Sequence, residues 1–183
     1  MRRFLIPLFS VLLSLTPTLK AGTPGEEAPS NQGPPVELQR LAAMIGIWDT
    51  KASYRSTPNA SIVEGRSIET VRWSTNEHFV ISDQHELTPN GWKDTLVITT
   101  WNPVKKEYKL INLTAAGEIV EATMMIEGNT RKILFYSPFE NRLIRNEVTV
   151  EFVSDVEYKF RSECTDQEKT WVFCEGISKK RKD

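Results

Sequence analysis

The residues best suited to acid–base or metal chemistry are two histidines, His78 and His85, which lie seven positions apart. Because side chains alternate between the two faces of a β-strand, this odd spacing places the histidines on opposite faces, where they cannot bind one metal together. Asp83 shares the parity of His85 and of the apolar residues Phe79 and Ile81. A carboxylate beside an imidazole could hold a ligand's polar group or move a proton at the mouth of a cavity. The alternative is a solvated strand end, which the polar residues between them favour.

Cys164 and Cys174 are the only cysteines, and they flank a hairpin. A loop of 168–170 would place the two cysteines directly opposite each other, whereas a loop of 166–169 would pair Cys164 with Trp171 and place the cysteines on opposite faces. An exported protein could join them in a disulfide. The alternative is two separate thiols, with Cys164 internal. No base accompanies either thiol, so nothing indicates a catalytic cysteine.

No motif for a metal or a nucleotide is recognisable. The chain lacks Cys and His at the spacing of a zinc site, and it contains no G-x-S-x-G, P-loop, GxGxxG or HExxH motif. A tyrosine could ligate haem, but nothing selects one of the four tyrosines. We therefore expect no metal and no cofactor, and we assign no catalytic residue.

The composition is that of one globular domain without affinity for nucleic acid. The 183 residues carry 23 Lys and Arg against 24 Asp and Glu, so the net charge is −1. This balance lacks the basic excess with which proteins bind phosphates. The basic run 179–182 is typical of a solvated strand end. We expect no nucleic-acid partner, and the oligomeric state stays open.

The N-terminus has the pattern of a secretory signal peptide over residues 1–21. Arg2 and Arg3 precede an apolar stretch at 4–19, and small residues follow it. A transmembrane helix, the alternative, needs about 20 apolar residues, whereas this stretch is shorter and contains two prolines. We expect export to the periplasm or the medium, with no stable membrane anchor after cleavage. Loss of three basic residues would leave a net charge of −4.

The folded domain is expected to span 36–183. The preceding segment, 22–35, is rich in Pro, Gly and small polar residues, which cannot bury enough apolar area to offset the entropy of ordering, so we interpret it as a flexible leader. Apolar residues recur at helical spacing from Val36 to Ile45, and Gly46 ends the pattern. One short helix is therefore predicted at the start of the domain.

After the helix, apolar residues alternate with period two, and turn residues interrupt the alternation about every ten residues. Every connection has hairpin length, and closure of a sheet removes exposed strand edges. The predicted fold is all-β, an antiparallel up-and-down barrel of about ten strands with one short N-terminal helix. The predicted strands span 47–55, 65–73, 78–87, 92–101, 107–115, 118–126, 131–137, 142–152, 155–164 and 171–179.

The alternation also indicates which side chains face the barrel interior. The parity of strands 65–73 and 92–101 is ambiguous, because both of their faces hold apolar residues. In the other strands the inward side chains could line a ligand cavity or fill the core, and parity alone does not separate these alternatives. The candidate ligand-binding residues are Phe79, Ile81, Asp83, His85, Tyr108, Asn112, Met124, Phe135, Tyr158 and Phe160.

Gly46-Ile47-Trp48, directly after the predicted helix, resembles the G-x-W signature of the lipocalin and calycin superfamily. The resemblance implies that Trp48 plugs the closed end of the barrel and that a basic residue near the C-terminus, here Arg181, packs over its ring. Some lipocalin-like barrels, the nitrobindins, bind haem through a histidine near the C-terminus. No histidine follows His85 here, so the resemblance does not extend to haem.

A closer resemblance is to the DUF1579 family, small lipocalin-like proteins of unknown function, many of them exported. It covers 38–182 and implies a lipocalin-like barrel without a settled activity. The hairpin at 165–171 resembles the family's D-G-x-K-T-W turn, although it lacks the glycine; this likeness favours the register in which Cys164 faces Trp171. The other matching positions are Leu38 to Trp48, Trp101-Asn102-Pro103, Lys106, Tyr108 and Gly117.

The fold admits more than one function. The first is binding of a small apolar or amphipathic molecule, since a ten-stranded barrel is wide enough to hold one. The alternative is an envelope protein with a filled barrel that binds a partner through an exposed apolar patch, to which Trp92 and Trp171 could belong. An enzyme using Asp83 and His85 is a further alternative, and it requires both side chains inside the cavity.

Overall fold

The structure, a computed structural model, describes residues 34–88, 91–139, 142–167 and 169–182. The predicted signal peptide and all of the predicted leader except Pro34 and Pro35 lie outside the described residues. No helix in the described part of the chain is long and apolar enough to cross a bilayer.

The predicted N-terminal helix is present as two short pieces. Helix α1 spans Val36–Gln39, and a 3₁₀ turn spans Ala42–Met44. The backbone N–H of Leu41 bonds to the carbonyl of Leu38 at 2.8 Å, an i to i−3 bond that tightens the chain and ends the α-helical geometry. Gly46 then adopts a φ of 137°, which favours glycine, and turns the chain into the first strand.

Ten strands follow, and they agree with the ten predicted strands to within three residues at each end. Residues that alternate with period two form these strands. Residues with positive φ lie in several of the turns between them, namely Glu77, Lys106, Gly117, Gly128 and Gln167. The strands are β1 Gly46–Tyr54, β2 Val63–Trp73, β3 Val80–Thr88, β4 Gly91–Asn102, β5 Glu107–Thr114, β6 Ile119–Glu127, β7 Thr130–Phe139, β8 Arg142–Ser154, β9 Glu157–Asp166 and β10 Lys169–Lys180.

The sheet is a closed, antiparallel, up-and-down barrel. Every strand pairs with its sequence neighbours, and β1 pairs with β10 in a register that runs from Trp48 opposite Lys180 to Tyr54 opposite Cys174. Closure satisfies the backbone groups that an edge strand would expose. The predicted fold class is therefore confirmed.

The best-packed part of the core lies at one end of the barrel, below the N-terminal helix. Trp48 is fully buried there with Leu38 and Leu41. The Trp48 ring lies 4.9 Å from the Tyr158 ring and 6.1 Å from the Phe152 ring, centre to centre. We call this the closed end of the barrel, and the end at Tyr54 the far end.

A β-bulge decides where the cysteines lie. Cys164 pairs with Trp171, the register that the family-like turn favours, but the register shifts between Val172 and Cys174 and places Cys174 opposite Ser162. Both cysteines therefore face the interior, and the predicted placement on opposite faces is wrong for this register. They are buried free thiols. A diagonal pair has its Cα atoms roughly 7–8 Å apart, beyond the usual span of a disulfide.

Candidate functional site in the barrel interior

Six of the predicted interior residues lie on the inner face. Met124 and Tyr108 are 3% exposed, and their strands pair with Tyr108 directly opposite Met124. On β8 and β9, the inward-facing residues Val150 and Phe160 likewise lie directly opposite each other. Their use in ligand binding stays a prediction. The six residues are Tyr108, Asn112, Met124, Phe135, Tyr158 and Phe160.

The other four candidates, Phe79, Ile81, Asp83 and His85, have the opposite parity, and their predicted interior position is wrong. Val80 and Ser82 face inward, with exposures of 2% and 6%. Phe79 is 39% exposed and precedes β3. The prediction chose the wrong face of β3 because the apolar residues of this strand face outward. Its polar residues face inward and join a hydrogen-bond network inside the barrel.

His85 belongs to a cluster on the outer face. Its Nδ1 pairs with the Asp94 carboxylate on β4, and its ring stacks on Trp92 with 4.3 Å between centres. Asp83 instead faces Arg72, at 3.6 Å. Asp83 and His85 line an outer groove of about 420 Å³, and both side-chain contacts are well exposed, so they contribute little to stability.

A larger outer groove of about 980 Å³ crosses β8, β9, β10, β1 and β2. Its charged side chains largely neutralise one another. Arg161 lies 3.5 Å from Glu175, and Lys179 lies 3.2 Å from Glu157 on the neighbouring strand. This groove therefore shows no strong field of one sign.

The cation over Trp48 is Lys180, not the predicted Arg181. Lys180 Nζ lies 5.4 Å from the centre of the Trp48 ring and donates to the Ala43 carbonyl. Arg181 has the opposite parity, so it points outward and binds both oxygens of Asp49 at 2.7 Å. The hydrogen bond from Arg181 lowers the pKa of Asp49 and raises that of Arg181.

A buried carboxylate, Glu69, stands at the centre of a polar network inside the barrel. Glu69 is 8% exposed. Its Oε1 accepts hydrogen bonds from the Ser82 hydroxyl and from the Gln84 amide, the latter at 3.1 Å. Its Oε2 accepts the Tyr158 hydroxyl, also at 3.1 Å. Three neutral donors from two other strands therefore hold one negative charge.

The network extends from Tyr158 to the junction of β10 and β1. The hydroxyls of Thr50 and Ser178 lie 2.7 Å apart, and their interaction with the Tyr158 hydroxyl partly offsets the rise in its pKa. Burial, reinforced by the charge of Glu69, raises the pKa of Tyr158. The phenol therefore stays protonated and donates its hydrogen to Glu69.

Arg131 is the buried cation of the closed end. It is 5% exposed, its guanidinium lies 3.9 Å from the centre of the Phe152 ring, and Nη2 donates to the Arg40 carbonyl at 3.3 Å. Its Nε is buried and has no hydrogen-bond partner among the residues that the structure describes. Burial lowers the pKa of Arg131 to about 10. Arg131 thus connects the wall of the barrel to the N-terminal helix at an electrostatic cost.

The far end holds a second group of polar residues. The Tyr54 hydroxyl donates to Glu86, and burial followed by this hydrogen bond raises the pKa of Tyr54. Burial also raises the pKa of the Cys174 thiol to about 12 and that of Cys164 to about 11. Because the thiolate is the reactive form of cysteine, these thiols are poor nucleophiles at neutral pH.

Apolar side chains between the Glu69 network and the Tyr54–Glu86 pair keep some contact with solvent. Phe135, Val148 and Val150 all point inward and are only partly buried. A side chain that faces the inside of a closed barrel retains accessible surface only where solvent reaches the interior. The barrel is therefore not completely filled by its own side chains.

No group of three or more His, Cys, Asp or Glu side chains is placed to hold a metal ion within the ranges that the structure describes.

The comparisons with known proteins agree with this geometry. The DUF1579 family, described as a protein of unknown function, matches residues 34–178. The chain belongs to the DUF1579 family. No curated protein matches the sequence.

Two solved structures share the barrel of this DUF1579 protein at low sequence identity. Rv2717c from M. tuberculosis is 11% identical, with a TM-score of 0.59 over 81% of this chain and 99% of that chain. The S-type phycobiliprotein lyase CPES from Guillardia theta is 12% identical, with a TM-score of 0.54 over 79% of this chain and 92% of that chain. At such identities the likeness shows the fold alone.

Sequence reasoning missed the two inward-facing carboxylates of this DUF1579 barrel, Glu69 and Glu86. Glu69 lies in a strand of ambiguous parity, and Glu86 lies on the polar parity of its strand, which is ordinarily the outer one. One signal could have identified Glu69. Glu69 pairs directly with Trp48 on β1, and the G-x-W signature places Trp48 inside the barrel. Ser67 and Val71 share the face of Glu69 on β2.

Proposed function

We propose that this DUF1579 protein binds a small apolar or amphipathic molecule inside its barrel. The observation that carries the proposal is the partial exposure of the inward-facing Phe135, Val148 and Val150. Apolar walls with few polar groups at defined positions are typical of small-molecule sites. Glu69 toward the closed end and the Tyr54–Glu86 pair toward the far end supply those polar groups.

We also propose that the protein acts after export, in the periplasm or the medium. The support is the sequence of residues 1–21, in which two arginines precede an apolar stretch and small residues follow. The protein purified from its own host would then begin near Gly22, which the intact mass measures directly. A mass that includes residues 1–21 would contradict the proposal.

A pair of substitutions on neighbouring residues of β8 tests binding inside the barrel. Val148 points inward, whereas Thr149 points outward and lines the large outer groove, which has room for a bigger side chain. We expect Val148→Trp to abolish the uptake of the neutral fluorophore N-phenyl-1-naphthylamine and Thr149→Trp to leave it unchanged. Equal uptake by both variants would place the dye outside the barrel and contradict the proposal.

Native mass spectrometry identifies the natural ligand. The protein is purified from its own host without detergent, its mass is measured under native conditions, and organic extraction releases any bound molecule. We expect a stoichiometric small molecule that the Val148→Trp variant lacks. A bare mass together with no dye uptake would instead favour a filled barrel that acts through surface partners.

The enzymatic alternative required Asp83 and His85 inside the cavity. Both lie on the outer face, and they do not pair with each other. The proposed function therefore includes no catalytic step.

A further inference from the structure

We infer that the barrel prefers ligands whose buried end carries a protonated amine, and that Glu69 recognises this group. The inference rests on the proposed function and names the chemical class of the ligand. It follows from three properties of Glu69: the direction of its hydrogen bonds, the lack of a neighbouring cation, and its position beside the apolar walls.

Every hydrogen bond of the Glu69 side chain within the described ranges is one that its carboxylate oxygens accept. Ser82, Gln84 and Tyr158 each donate to it. A carboxylate has about four acceptor positions. Among the described residues, Oε1 accepts two hydrogen bonds and Oε2 accepts one, so Oε2 retains a position for a further donor.

No cation of the described part of the chain forms an ion pair with this carboxylate. Arg131 stacks on Phe152 and bonds to the Arg40 carbonyl, and Lys180 lies over Trp48. Burying an ionised group without a counter-charge costs free energy. A protonated amine that enters the barrel would supply the missing charge and the missing donor together.

The surroundings of Glu69 fit an amphipathic cation. The inward-facing Ser67, two residues before Glu69 on β2, and Gln84, opposite Glu69 on β3, keep partial solvent exposure, so solvent approaches the network. The partly exposed apolar residues Phe135 and Val150 line the same interior. An apolar body would contact these walls while its ammonium group reaches the carboxylate.

Three probes of equal chain length test the preference: dodecylammonium and dodecanoate, each below its critical micelle concentration, and dodecanol, below its solubility limit. Binding to the full-length protein is measured as displacement of N-phenyl-1-naphthylamine. We expect dodecylammonium to bind at least about tenfold more tightly than either of the others, as a charge-assisted hydrogen bond requires. We expect Glu69→Gln to weaken the binding of dodecylammonium about tenfold and to leave the binding of dodecanol unchanged.

Glu121→Gln is the matched control, because Glu121 is exposed on the outer face of β6 and its loss changes the net charge equally. Equal binding of the three probes, or an equal loss in both variants, would overturn the inference and leave the proposed function standing. Binding of no probe and no dye would contradict the proposed function itself. Should Glu69→Gln fail to fold, the order of the three probes on the wild-type protein decides the inference.

Discussion

Lys180 Nζ lies 5.4 Å from the centre of the fully buried Trp48 ring, while the next residue, Arg181, points away and binds Asp49. The two basic residues therefore have different functions in barrel closure. Lys180 packs over the Trp48 ring at the closed end and donates to the Ala43 carbonyl, so it also links β10 to the N-terminal 3₁₀ turn. Arg181 links β10 to β1 at the surface.

The first prediction follows from this division. We expect Lys180→Ala to lower the free energy of unfolding by about 1 kcal/mol, since it removes a partly desolvated cation from the Trp48 face. Arg181→Ala should have a smaller effect, because its pair with Asp49 is exposed to solvent and screened by salt. Urea unfolding followed by tryptophan fluorescence measures both. A larger loss for Arg181→Ala would contradict the assignment of Lys180 as the covering cation.

The second prediction concerns Gly176, where three strands approach closely. A Cβ atom there would lie 2.3 Å from the Lys51 carbonyl oxygen, 2.9 Å from the Ala52 Cα and 2.9 Å from Phe160 Cε1. Two of these contacts are with backbone, which cannot move aside as a flexible side chain can. We expect Gly176→Ala to destabilise the barrel by about 1–3 kcal/mol, the usual cost of overpacking.

Thermal unfolding monitored by circular dichroism measures the effect at Gly176. Ile177→Ala is the control, because Ile177 is 41% exposed and faces outward on the same strand. A midpoint for Gly176→Ala equal to that of the wild type would show that β10 and β1 can separate locally without cost.

The third prediction is a dependence of stability on alkaline pH. The folded state raises the pKa of Cys174 to about 12 and of Cys164 to about 11, above the ordinary thiol value of 9.0. Above pH 9 the unfolded chain releases protons that the folded chain retains. Stability contributed by the neutral thiols is therefore complete below about pH 9 and is lost as the pH rises toward 11 and 12.

Urea unfolding at pH 8, 9 and 10 tests this dependence. The wild type should lose more stability between pH 8 and 10 than the Cys164→Ala, Cys174→Ala double variant, which lacks both thiols. Parallel losses in the two proteins would assign the alkaline effect to other groups. In the folded protein at pH 8, both thiols should also react with iodoacetamide far more slowly than in urea.

The fourth prediction concerns Arg131. Burial lowers its pKa, so the folded state disfavours the charge, and Nε has no hydrogen-bond partner within the described ranges of the chain. We expect Arg131→Met to raise the free energy of unfolding by about 1 kcal/mol or more, because an apolar chain of similar length fills the same space without a buried charge. Arg145→Met, at an exposed outer position, should change little. Strong destabilisation by Arg131→Met would instead show that the bond to the Arg40 carbonyl holds the helix in place.

Much of the fold could be predicted because it depends on local patterns. Period-two alternation defines strands, and turn residues such as Gly117 and Gly128, which adopt positive φ, mark where they end. The Trp48 plug was predictable from the G-x-W resemblance. The site was less predictable. Phe135 and Phe160 were assigned correctly to the interior, whereas Phe79 and His85 were not, because the interior of this barrel is partly polar and an apolar parity need not face inward.

The sequence by itself determined the ten strands, their antiparallel order and the position of the plug, since these follow from residue periodicity and from short connections. Only the tertiary structure decided that Glu69, Ser82 and Gln84 face the interior, that a bulge turns Cys174 inward, and that Lys180 rather than Arg181 covers Trp48. The physical reason is that a single-residue change of register exchanges the two faces of a strand. That choice depends on pairing between distant strands, which no local window of sequence contains.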